Sequence, residues 1–165
     1  TLAQQVHAYS GQLWQAEVSI PPVKGDLAEA WVAFLISLRG PYGTFYLNDP
    51  LNTSPRGTAT SMSITGSAGS SSVTTTALNG TLKAGDWFSV GTGRNTRLHK
   101  VLQDVSAGVG QTVEIYPSLR FGVFATATDL TNAKGVFRLS SAETSWSINE
   151  VNSYGITFSA QEALL

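Results

Sequence analysis

Residues 26–40 carry one helix-patterned run, DLAEAWVAFLISLRG, and most of the chain outside it alternates with the two-residue rhythm of strands. A single apolar helix in a β-patterned chain constrains the fold, because it has to be covered by sheet, by another protein, or by both. Leu27, Ala30, Trp31, Phe34, Leu35 and Leu38 recur at the spacing of one helical face. Val32, Ala33 and Ile36 fall on the other face, where only Glu29, Ser37 and Arg39 are plainly polar. A helix apolar nearly all round has to be buried nearly all round. Two readings stay open at this point: a helix sandwiched by the sheets of its own subunit, or one whose second face is covered by a neighbour. The run is too short to span a bilayer. Asp26 with Glu29 predicts a capping-box start and Gly40-Pro41 a stop, giving a helix over residues 26–39.

The strands around it form two groups. Residues 13–20 place Trp14, Ala16, Val18 and Ile20 on one side, and Pro21-Pro22 is expected to end that strand. Residues 44–47 read as the strand after the helix, and the turn-rich segment from Asn48 to Pro55 as a boundary. From residue 58 onward short Ser/Thr-rich strands follow one another, punctuated by GSAG, Asn79-Gly80, GTGRN and AGVGQ, which is the spacing of a small barrel or sandwich. GSAG is expected at a hairpin tip, and the slipped alternation near Lys100 and Val101 suggests a β-bulge. Near the end, Tyr154, Ile156, Phe158 and Ala160 share one side of a strand that should dock on residues 13–20.

The expected fold is therefore mainly β. It has a discontinuous β-sandwich or split-barrel module, residues 1–56 and 140–165, holding the amphipathic α-helix, and an inserted small β-barrel over residues 57–139. Trp14, Val18, Trp31, Phe34, Leu35, Phe45, Tyr46, Trp146, Ile148, Tyr154, Ile156 and Phe158 are expected in the core of the first module.

Composition excludes several functions. With ten basic against eleven acidic residues, the chain has no clustered cationic footprint for nucleic acid. It contains no cysteine, so neither a disulfide framework nor a thiolate metal site exists, and the lack of such staples favours assembly in a reducing compartment. No signal-peptide or membrane-spanning pattern is visible, and the start at Thr1 rather than Met leaves room for residues upstream. Only 13% of residues are charged, too few to keep an isolated surface well separated from other protein, so much of the surface is expected to be in contact.

Catalysis finds no constellation. His7 sits in a polar leader and His99 between basic neighbours on a strand, and no metal-ligand spacing appears. Asp86, Asp104 and Glu114 are carboxylates that could converge in the insert, but Asp86 reads as a turn residue and the other two as outward positions. Gly91-x-Gly93 with Arg94 reads as a hairpin turn, lacking the rest of a phosphate loop. No cofactor is expected. A carbohydrate-binding module is the rival reading, with Trp87, Phe88, Tyr116, Phe121 and Phe124 as candidate sugar platforms.

The order W-x-A-E-V-x-I-P-P, an apolar helix, L-R-G-P-Y-G-T-F-Y-L-x-D-P, an insertion bearing L-K-A-G-D-W-F-S-V-G and R-L-H-K-V-L-x-D-V, then W-x-I and Y-G-I-T-F-S-A-Q-E, covers almost the whole chain. In layout it resembles the distal tail proteins, small tail-tip proteins of long-tailed bacteriophages. The resemblance implies a structural virion protein that forms a ring, a hexamer in that family, between the tail tube and the baseplate hub or fibres. It implies a location at the tail tip, with assembly in the host cytoplasm and no membrane insertion. Where the larger members carry a long C-terminal carbohydrate-binding-like domain, the additional module here is an insertion. For the assembly surface we expect Val32, Ile36 and Arg39 on the helix, Pro41, Tyr42 and Gly43 in the turn, and Asn48, Asp49 and Pro50 in the loop. Phe121 and Phe124, in a loose glycine-bearing segment, are expected to anchor a partner.

Overall fold

The computed structural model describes residues 11–149 and 151–164, so His7 lies outside it. Among these residues eleven strands form two curled sheets, accompanied by one α-helix, in keeping with the mainly β reading. The first sheet contains β1 (Gln15–Val23), β2 (Phe45–Asn48), β9 (Lys134–Leu139), β10 (Trp146–Ile148) and β11 (Tyr154–Glu162). Its order is β1-β11-β9-β2, with β10 paired to β11. The second contains β3 (Ser61–Gly66), β4 (Ser72–Asn79), β5 (Trp87–Val90), β6 (Arg97–Val101), β7 (Thr112–Tyr116) and β8 (Val123–Thr128), in the order β5-β6-β7-β4-β3-β8.

The second sheet closes. Ser89 of β5 and Asp129, just past β8, exchange both backbone hydrogen bonds at 2.9 Å, joining the two ends of the sheet. Inside it Met62, Ile64, Val73, Phe88, Val113 and Ile115 are almost fully buried. β3 and β4 form the hairpin expected around GSAG.

The first sheet stays open. β1 pairs with β11 in the register Ala16↔Ala160, Val18↔Phe158 and Ile20↔Ile156, so the terminal strand docks where its alternation predicts. Pro21 and Pro22 do not end β1, which continues to Val23 through a shift in register. An edge strand tolerates proline because one side of its backbone has no partner. The return to this sheet comes at Lys134, earlier than the expected boundary at residue 140, because β9 pairs with both β2 and β11.

The helix, α1 (Gly25–Ser37), packs across this sheet with Val32, Leu35 and Leu38 against Leu139 and Ile156. The Asp26–Glu29 capping box does not form: the N-cap is Lys24, without a side-chain bond, and Glu29 instead accepts the Tyr154 hydroxyl at 3.1 Å. That bond holds the Tyr154 phenol above its ordinary pKa. Arg39, at φ 53°, and Gly40, at φ 67°, turn the chain after Leu38. The buried stripe is rotated from the expected one. Ala28 and Val32 are buried, whereas Leu27 and Ala30 are exposed.

The expected bulge in β6 is absent, since its pairing with β5 and β7 runs without a shift. Its alternation fails for another reason: Arg97, Leu98 and His99 are all buried, because one side of the strand faces the barrel and the other the first module. Three residues expected in the first core, Tyr46, Trp146 and Ile148, are exposed.

Candidate assembly surface

The two modules are joined tightly, and the joint accounts for several residues with apparent chemical potential. Trp14 donates its indole N–H to the Leu98 carbonyl at 2.8 Å and packs against Trp87 and Tyr116, each at 5.0 Å between ring centroids. Arg120 pairs with the buried Glu162 carboxylate at 3.1 Å and also donates to the Gln12 carbonyl. Arg97 reaches the Ala163 carbonyl at 3.1 Å. His99 donates Nδ1–H to the Pro117 carbonyl at 2.8 Å and stacks on Phe88. Burial pushes its pKa down to about 4, against the opposing pull of that hydrogen bond, so the ring is neutral at pH 7. A neutral imidazole sealed against the barrel's own Phe88 is a packing element.

The three carboxylates considered for hydrolysis form no common cluster among the described residues. Asp86 is buried and accepts the backbone N–H groups of Arg56, Gly57 and Lys83, tying a loop. Asp104 lies beyond β6 rather than on a strand, where hydrogen bonding to Lys83 holds its carboxyl below the usual range. Glu114 points outward from β7. Among the described residues no cluster of three His, Cys, Asp or Glu could hold a metal ion. Also among them, no helix is long and apolar enough to cross a membrane.

The expected assembly residues separate into three groups. Val32 belongs to the subunit's own core, because the helix is rotated so that its stripe meets Leu139 and Ile156. Gly43 is also internal in role: a side chain there would collide with the backbone of Leu38. Asn48 pairs with Lys134 in the ladder. Asp49 is engaged by Asn52, Leu51 and Trp87, which hold its carboxyl below the usual pKa, the Asn52 amide foremost. Pro41 is half-buried. Ile36, Arg39, Tyr42 and Pro50 are exposed, with Tyr42 at 87%. Of the two aromatic anchors, Phe121 packs against the barrel core and Phe124 is 85% exposed.

The feature that sequence reasoning missed is the seam of the first sheet. β1 and β2 each have one strand partner among the described residues, and their free edges border an open trough. One part, of about 440 Å³, lies between Leu27, Trp31 and Phe34 of the helix and Val18, Leu47 and Phe158 of the sheet. The other, of about 620 Å³, continues past Val18 and Leu47 to Trp14 and Trp87. Aromatic edges line the first part, with Phe34 at 5.9 Å from Trp31 and 5.8 Å from Phe45. The signal was present in the helix pattern, as more apolar surface than one sheet can cover.

No protein-family model matches this chain, and no curated protein does.

Proposed function

We propose that this chain is a non-enzymatic, ring-forming structural subunit of a phage tail tip, joining the tail tube to the baseplate hub or fibres. The observation that carries the assembly part is the open seam of the first module, an apolar trough bordered by two strand edges that have no partner among the described residues. Isolated domains rarely leave such a surface uncovered, because unpaired edges and contiguous apolar patches recruit other chains. The sparse charge of the chain points the same way. The tail-tip part rests on the resemblance to distal tail proteins. In this reading the first module forms the ring, its own copies are its first partners, and the inserted barrel meets the hub or fibres through Phe124. The carbohydrate-binding alternative is weaker, since Phe124 alone among its five candidate aromatics is strongly exposed.

Negative-stain imaging of the concentrated protein tests the proposal. Closed rings of uniform diameter, sixfold in averaged views, are the expected result. A field of single particles at every concentration would contradict it.

A further inference from the structure

Two apolar features of the first module lack cover among the described residues, and strand pairing sets them on opposite sides of β11. Ile156 pairs with Ile20 of β1 on one side and with Trp146 of β10 on the other. The first feature is the seam trough beyond β1. Its borders are rows of backbone N–H and C=O groups without strand partners among the described residues, which an extended polypeptide satisfies and a lipid or flat sugar ring does not. The second is β10 itself. All three of its residues are exposed, and Trp146 at 42% and Ile148 at 55% share one face, followed by the exposed Val151 at the turn. β10 is also an edge, pairing with β11 alone among the described residues.

Charge agrees with a match between the two. At the trough, the Lys134 ammonium sits 4.7 Å from the ring centroid of Tyr46, one of the lining residues. From Ser140 to the end, the chain contains no Lys, Arg or His, and the exposed Glu143 stands just before β10.

We propose that the trough receives the β10 hairpin of a second copy, with Trp146 and Ile148 entering between β1 and β2 and Lys134 facing the acidic flank. This rests on the ring reading and names its contact. Such an interface uses different surfaces on the two copies, so every subunit keeps one donor and one acceptor, and successive contacts make a ring where the rotation between copies closes and an open filament where it does not.

The absence of cysteine makes a clean test. Ile148→Cys and Ala30→Cys are prepared separately, both at exposed positions, and oxidised alone and mixed under conditions where the unmodified protein assembles. The mixture should give disulfide-linked dimer at roughly tenfold or more the yield of either variant alone, since only the mixed pair is held in contact. Lys134→Glu should weaken assembly and Glu143→Lys, added to it, should restore it. Rings that form without the mixed disulfide, or with equal linkage in the single variants, would overturn this docking and leave the ring reading standing. Failure of the unmodified protein to assemble at any concentration would overturn both and give the seam to a different protein.

Discussion

The closed barrel and the open first sheet are built from similar strands, yet they end differently. In the barrel, the Ser89–Asp129 bridge joins the last edges, and the core residues from Met62 to Ile115 are sealed. In the first module, β1 and β2 never pair, and the cluster around Leu35 and Ile156 is ringed by half-buried residues such as Trp31, Phe34, Phe45 and Phe158. Among the described residues, one module joins its sheet ends and seals its core, and the other leaves two strand edges and an apolar trough open. That difference is the one the proposed assembly would use.

The largest expected effect falls on the closed side. Phe88 is fully buried and stacked on His99, so Phe88→Ala should cost about 4 kcal/mol in denaturant unfolding. Phe34→Ala, in the half-open cluster, should cost roughly half that in the dilute protein. Equal costs would erase the contrast between the modules.

Next comes the joint that holds the two together. Glu162→Gln leaves Arg120 without its buried partner and should cost about 3 kcal/mol. The loss should fall on the first module, seen as a separate early unfolding transition with the barrel's transition unchanged. A single transition shifted as a whole would mean the modules do not differ in autonomy.

Acid should act on the barrel, where His99 stacks on Phe88. His99 has its folded pKa pushed down to about 4 from an ordinary 6.5. Between those values the unfolded chain binds more protons than the folded one, so stability falls as pH drops from 6.5 to 4 and this contribution then levels off. The loss is on the order of 3 kcal/mol over the window. A urea midpoint measured against pH checks it, and His99→Gln should flatten the profile.

The smallest effect on folding should be the most telling for assembly. Leu27 is 59% exposed and lines the trough, so Leu27→Asp should change monomer stability by no more than about 0.5 kcal/mol. It should nevertheless reduce assembly, read by light scattering. An unfolded variant would return the trough face of the helix to the subunit's own core.

Much of this architecture was legible in the residues. The alternation of Trp14 to Ile20 and of Tyr154 to Ala160 foretold the strand pair that opens and closes the first module, because both strands have one covered face and one wet face. The helix was legible in its extent and not in its rotation. Periodicity counts apolar residues without knowing which have cover, so Leu27 and Ala30, which line the trough, looked like core, and Val32 looked like surface. Trp146 and Ile148 misled in the same way. In β6 the pattern failed because the joint buries both sides of a strand, which removes the alternation. Edges left open are not written in alternation at all, since a paired and an unpaired strand share the same pattern of side chains.

Hydrogen exchange, followed by residue across a concentration series, tests the central claim most directly. At high dilution the amides of β1 and β2 that face the seam should exchange quickly while those of the barrel stay protected. As concentration rises, the seam amides should gain protection and the barrel's should not change. Seam amides already as slow as the barrel's in the dilute protein would contradict the account, because the first module would then be complete by itself.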